Sequence, residues 1–101
     1  MKQISAVELA AKIQAGEQVN LIDVREVEEV AAGYISGIVN IPLGLLETRM
    51  DELDKSKAYI MVCRSGGRSG QATQFLAAQG FDVTNMAGGM LDWPGDVEKF
   101  F

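Results

Sequence analysis

Ala58-Tyr59-Ile60-Met61-Val62-Cys63-Arg64-Ser65-Gly66-Gly67-Arg68-Ser69 runs from an apolar stretch through a charged, glycine-containing loop into a helical pattern beginning near Ser69. A strand that ends in such a turn and passes into a helix is the place where open α/β sheets bind ligands. The loop also carries the chain's one cysteine. The glycine pair admits unusual backbone angles, and with the helix start it makes a cradle of N–H groups suited to an anion. The helix N-terminus contributes about half a positive charge, and Arg64 and Arg68 add two full ones. A thiol there ionises more readily than a free one, which titrates near ~8.5; comparable settings bring it to roughly 3.5–7.5. A lone cysteine closing an apolar strand is ordinarily a small buried hydrophobe. Two glycines and two arginines beside it point instead to a thiolate nucleophile, Cys63, facing an anion site.

Outside this loop, apolar runs alternate with helical patterns. Ser5-Ala6-Val7-Glu8 is a capping box flanked by Ile4 and Leu9 as a hydrophobic staple, which predicts a helix from about Ala6 to Ala15 ending at Gly16. Val19 to Val24 reads as a buried parallel strand. Arg25 to Ala32 reads as a short acidic helix closed by Gly33, its Glu26, Glu28 and Glu29 on a solvated face. Ile38 to Ile41 is a strand stopped by Pro42, and Leu45, Leu46, Arg49, Met50 and Leu53 then recur at helical spacing. After the loop, Ala72, Phe75 and Leu76 share one helical face up to Gly80. Phe81 to Asn85 is the last strand. Gly88-Gly89 opens a short helix through Trp93, followed by Pro94-Gly95 and a polar tail with Phe100 and Phe101. Met86, Met90 and Trp93 read as packing residues. The alternation predicts an α/β fold, a parallel sheet with helices on both faces joined by right-handed crossovers.

Composition narrows the chemistry. The 101 residues, 48% of them hydrophobic, are enough for one domain with its own core, expected over 1–101. A net charge of −5 argues against sequence-independent nucleic-acid binding. The sequence has no histidine, which removes Ser-His-Asp and Cys-His chemistry and the commonest zinc ligand. One cysteine excludes an internal disulfide or resolving thiol, so a redox cycle has to pass through a second molecule. No run reaches membrane-spanning length and Met1-Lys2-Gln3-Ile4 does not open a signal peptide. A chain with these features is expected in the cytoplasm.

Four stretches in order give the chain a family resemblance along nearly its whole length. They are Leu21-Ile22-Asp23-Val24-Arg25-Glu26 with Glu29; Gly33-Tyr34-Ile35-Ser36-Gly37-Ile38-Val39-Asn40-Ile41-Pro42; Cys63 to Ser69; and Gly88-Gly89 with Trp93. The chain resembles a single-domain rhodanese, a thiosulfate-type sulfurtransferase. The resemblance implies a three-layer α/β/α fold around about five parallel strands. It implies Cys63 as the nucleophile that carries a sulfane sulfur as a persulfide. Arg64, Ser65, Gly66, Gly67, Arg68 and Ser69 would hold the anionic donor and then the terminal sulfur, with Asp23 and Arg25 supporting the loop and sheet edge. No metal or organic cofactor is implied. The partners are a small anionic sulfur donor and a thiol, cyanide or protein acceptor.

The chain departs from the family at Tyr34 and Ser36, where a histidine and a proline are usual, and Gly67 leaves little bulk at the loop rim. An open rim would broaden the choice of acceptor. Two other functions compete. Cysteine phosphatases and arsenate reductases resemble Cys-x5-Arg, whereas Cys63 to Arg68 is Cys-x4-Arg, and no acid for an alkoxide leaving group is evident. A sulfur-carrier or protein-binding module would share the fold, although inactive relatives typically lose the cysteine.

Overall fold

The computed structural model describes residues 1–100; Phe101, placed with Phe100 in the tail above, lies outside the described residues. Five parallel strands, β1 (Gln3–Ser5), β2 (Leu21–Asp23), β3 (Val39–Asn40), β4 (Ala58–Val62) and β5 (Asp82–Ala87), form one sheet in the order β1-β5-β4-β2-β3. Four helices connect them: α1 (Ala6–Gln14), α2 (Val27–Ala31), α3 (Leu46–Arg49) and α4 (Gly67–Ala78). The expected α/β architecture is present, a parallel sheet with helices on both faces.

Side-chain alternation along the strands builds a core on each face. Ile22, Val24, Tyr59, Met61, Cys63 and Val83 point to one side, where they meet Leu46, Ala72 and Leu76 from α3 and α4. Leu21, Val62 and Met86 point to the other, against Ala6 and Leu9 of α1. This period of two inside continuous apolar runs is what a strand covered on both faces requires.

The topology sets the place of the loop. β2 and β4 are neighbours, Leu21 pairing with Ile60 and Asp23 with Val62. From β2 the chain moves outward to the β3 edge, and from the central strand β4 it moves the opposite way, to β5. Right-handed connections therefore send α2 and α4 to opposite faces, and a crevice opens between the carboxyl ends of β2 and β4. Val24 N donates to Val62 O at 2.9 Å, so the residues after β2 lie directly beside Cys63.

Several local expectations are refined. The capping box is formed, Glu8 N donating to Ser5 Oγ at 3.0 Å and Ser5 N to Glu8 Oε1 at 3.1 Å. β1 was not expected: its three residues precede that box and gain strand character only by pairing with Asn85 to Ala87. The helix expected over Leu45 to Leu53 is broken into a 3-10 turn at Leu43–Leu45, α3, and a second 3-10 turn at Met50–Glu52. α4 begins at Gly67 rather than near Ser69, which brings the helix start two residues closer to the cysteine. The segment after Gly88 is a 3-10 helix over Gly89–Asp92. Among the described residues no helix is long and apolar enough to cross a membrane.

Candidate active site

β4 delivers Cys63 at its carboxyl end, and the following residues fold back over the sulfur. Gly66 precedes the helix with φ of 100°, a left-handed conformation that glycine adopts without the cost a side chain would bring. The turn aims Gly66 N at Cys63 Sγ, 3.0 Å away. Ser69 Oγ reaches the same sulfur at 3.3 Å. The first intrahelical bond is Gly70 N to Gly66 O at 3.0 Å, which leaves the amides of Gly67, Arg68 and Ser69 without an intrahelical acceptor at the positive end of α4.

Cys63 is only 1% exposed, so the sulfur lies beneath the loop. Burial pushes its thiol pKa up. Hydrogen bonds from the Ser69 side chain and from the backbone at Ser69, Gly66 and Ser65 outweigh that and hold it below the ordinary thiol value. The stabilisation of the thiolate comes from these local donors more than from the arginines, in contrast to the emphasis the sequence suggests.

The two arginines have different surroundings. Arg64 is exposed, and its guanidinium makes no hydrogen bond or ion pair among the described residues. Arg68 is tied by two parallel bonds to Glu29 on α2, at 2.7 and 2.8 Å. Glu29 therefore does not belong to a solvated face, the role expected for it. It also closes a capping box by accepting Glu26 N at 3.1 Å. The Arg68 guanidinium holds the Glu29 carboxyl down at about 2, from an ordinary 4.5. Because the folded value is the lower one, this pair's stabilisation is complete above about pH 4.5 and is lost as pH falls towards 2. Both side chains are about one-third exposed, so screening limits the effect to roughly 1 kcal/mol. Glu29→Gln is expected to remove that part of the acid sensitivity, seen as a flatter dependence of melting temperature on pH below 4.5 than in the wild type.

Asp23 and Arg25 form a buried pair at the edge of the crevice. Arg25 Nη2 and Nε donate to Asp23 Oδ2 and Oδ1 at 2.7 and 3.0 Å, and Arg25 N donates to Oδ1 at 3.0 Å. Arg25 Nη2 also donates to Gly33 O at 2.8 Å. Asn40 Nδ2 donates to the carbonyls of Asp23 and Arg25 at 2.9 and 3.0 Å. This network fixes the β2 turn without reaching the sulfur. Tyr34, at one of the departures from the family pattern, pairs its backbone with Glu98 and stacks near Phe100 at 4.9 Å between ring centres. Ser36 is exposed. Among the described residues no three His, Cys, Asp or Glu side chains gather closely enough to hold a metal ion.

Gly89 closes the loop from behind. Met90 N donates to Cys63 O at 2.9 Å and Leu91 N to Arg64 O at 3.0 Å, which locks the segment after β5 onto the cysteine strand. Gly89 has φ of 61°, and a Cβ there would run into the Arg64 carbonyl and come within 2.6 Å of Ser65 N. Both obstacles are backbone and neither gives way cheaply. Gly89→Ala is expected to lose roughly 1–3 kcal/mol in urea unfolding and to displace the loop, measured as faster alkylation of Cys63 at fixed pH.

Glu29 was named in the sequence as part of the family pattern and of a solvated face, not as the partner of Arg68. Asn85 on β5 was not singled out at all; it donates from Nδ2 to Gly66 O at 3.2 Å and lies 2.6 Å from Ser69 Oγ through Oδ1. A polar amide on the strand face set by Phe81 and Val83 was the available signal, since asparagine is disfavoured in strands.

Comparison with known proteins agrees with the fold. The chain is 46% identical over 98 residues to the Bacillus subtilis protein named "Putative sulfurtransferase YtwF", covering 97% of this chain and 95% of that protein. It is 35% identical over 94 residues to a protein of Allochromatium vinosum named "Sulfurtransferase", covering 92% and 88%. The crystal structure of a rhodanese-like domain protein from Staphylococcus aureus superimposes with a TM-score of 0.92 at 36% identity, over the full length of both chains. The family model described as the rhodanese-like domain matches residues 5–96, from the cap of α1 to beyond the segment that closes the cysteine loop. The chain belongs to the rhodanese-like domain family.

Proposed function

We propose that the chain is a sulfurtransferase that moves a sulfane sulfur from thiosulfate or a related small anion to a thiophilic acceptor through a persulfide on Cys63. The observation that carries this reading is the donor set on one sulfur: Gly66 N at 3.0 Å and Ser69 Oγ at 3.3 Å, at the start of α4. In the first half-reaction the Cys63 thiolate attacks the outer sulfur of thiosulfate. A bond forms from Sγ to that sulfur, the S–S bond of the donor breaks, and sulfite leaves with the electron pair. In the second, cyanide or a thiol takes the outer sulfur and returns the electron pair to Sγ. Sulfite leaves without protonation, so the cycle balances without a general acid, a metal or an organic cofactor.

The other loop residues take roles by position. The free guanidinium of Arg64 at the rim meets the anionic end of the donor, and the backbone of Ser65, Gly66, Gly67 and Ser69 faces the charge that moves to the terminal sulfur. Arg68, with its charge shared by Glu29, braces the helix start and adds to the local field. Asp23 and Arg25 hold the β2 turn against the loop. Burial of Cys63 favours a narrow donor whose end atom is the one attacked over the bulk of a phosphate ester. Steady-state rates with thiosulfate and cyanide varied together test the reading. Parallel lines in double-reciprocal plots are expected for a covalent intermediate, and converging lines would contradict it.

A further inference from the structure

Ser69 Oγ stands between two acceptors, Cys63 Sγ at 3.3 Å and Asn85 Oδ1 at 2.6 Å. A hydroxyl carries one proton, so it satisfies one of them at a time. The amide of Asn85 is oriented by its donor end, since Nδ2 bonds Gly66 O at 3.2 Å and leaves Oδ1 facing the serine. Ser69 and Asn85 are 0% and 4% exposed, so solvent does not replace whichever bond is given up. Asn85 sits opposite Met61 in the pairing of β4 with β5, two residues before the cysteine on the neighbouring strand. It thus touches both residues that donate to the sulfur: Ser69 through the hydroxyl, and Gly66 through its carbonyl oxygen.

We propose that Asn85 is a positioning residue that draws the Ser69 proton away from Cys63 while the sulfur is uncharged, and yields it when the sulfur ionises. In the thiol form the chain of bonds runs from Cys63 S–H to Ser69 Oγ and from Ser69 O–H to Asn85 Oδ1. On ionisation the thiol proton passes to solvent, the Ser69 hydroxyl turns to Sγ, and Asn85 Oδ1 loses its donor in a dry site. That loss opposes the thiolate. In the loaded form, which rests on the persulfide reading above, the charge lies on the outer sulfur and the inner sulfur is neutral. Ser69 then returns to Asn85. The exchange favours the persulfide over the bare thiolate and keeps the thiolate reactive.

The rate of Cys63 alkylation by iodoacetamide as a function of pH reads the thiol pKa without any sulfur donor. Failure of this proposal and failure of the sulfurtransferase reading are therefore separable. Four proteins are compared: wild type, Ser69→Ala, Asn85→Leu and the double variant. The surrounding charges, Arg64 and Arg68 beside the loop and Asp23, Arg25 and Glu29 at the β2 edge, are the same in all four. Ser69→Ala is expected to raise the apparent pKa, and Asn85→Leu to lower it, each by about one unit. In the Ser69→Ala background, Asn85→Leu is expected to produce no further shift. An Asn85→Leu pKa that rises or stays in place, or a shift of equal size with and without Ser69, would overturn the proposal. Asn85→Ala is read by the same criteria if leucine prevents folding.

Discussion

Cys63→Ala is expected to reduce thiocyanate formation from thiosulfate and cyanide to the rate without protein, a loss of roughly a thousandfold or more, while leaving a folded domain. The expectation rests on the absence of a substitute. The sequence has no second cysteine and no histidine, so no other side chain can take over as a soft nucleophile or activate a water in its place. The structural cost is small by comparison. Cys63 lies in the core on the α4 face, and loss of one buried sulfur leaves a small cavity worth about 1 kcal/mol. A circular dichroism spectrum and melting curve close to wild type would assign the lost turnover to chemistry. Residual thiocyanate formation above a tenth of the wild-type rate would contradict the assigned nucleophile.

Asp23→Ala is expected to have the largest effect on stability, about 3–5 kcal/mol in urea unfolding, because it removes the carboxylate hydrogen-bonded to the buried Arg25 guanidinium. Domains of this size have total stabilities of roughly 5–15 kcal/mol, so such a loss takes a large share. The pair is nearly inaccessible to solvent, with side chains 0% and 7% exposed. Asp23 also accepts the Arg25 amide, so its removal strands a backbone donor as well. The Arg25 bond to Gly33 O survives and offsets only part of the penalty. Asp23→Asn is expected to cost less, since its amide oxygen still accepts from the guanidinium. A loss below about 1 kcal/mol for Asp23→Ala would show that Arg25 reaches solvent when its partner is removed. Because Val24 bonds Val62, the same variant is expected to alter Cys63 alkylation, which links the β2 edge to the loop.

How much of this was legible in the sequence depended on the range of the interaction that fixes each feature. The cysteine loop was legible because its parts are adjacent: an apolar strand, two glycines and a helix start within a dozen residues. The first helix was legible for the same reason, with Ser5 and Glu8 three residues apart. β1 was not, since nothing local distinguishes Gln3-Ile4-Ser5 until Met86 lies beside Ile4. The break in the helix after Pro42 was not legible either: Leu43, Leu46, Met50 and Leu53 all reach the α4-side core, as helical spacing suggests, yet the backbone that carries them is a single α-helical turn between two 3-10 turns.

Within the site, the groups read correctly as neighbours of the cysteine were those in its own segment. Glu29 lies 39 residues before Arg68, and only the meeting of α2 with the start of α4 joins them. Asn85 lies 16 residues after Ser69 on another strand. Both change the electrostatic account. Arg68 shares its charge with Glu29, and the hydrogen bonds at Ser69 and Gly66 carry most of the thiolate stabilisation. A sequence shows that cations are near a cysteine but not whether another element has already paired with them.

The central claim is that Cys63 alone carries a transferable sulfur, and intact mass spectrometry tests it most directly. Wild-type protein and Cys63→Ala are incubated with thiosulfate, freed of excess donor and weighed before and after cyanide. A gain of one sulfur atom is expected on the wild type only, removed completely by cyanide. No gain on the wild type, an equal gain on Cys63→Ala, or an added mass that cyanide leaves in place would contradict it.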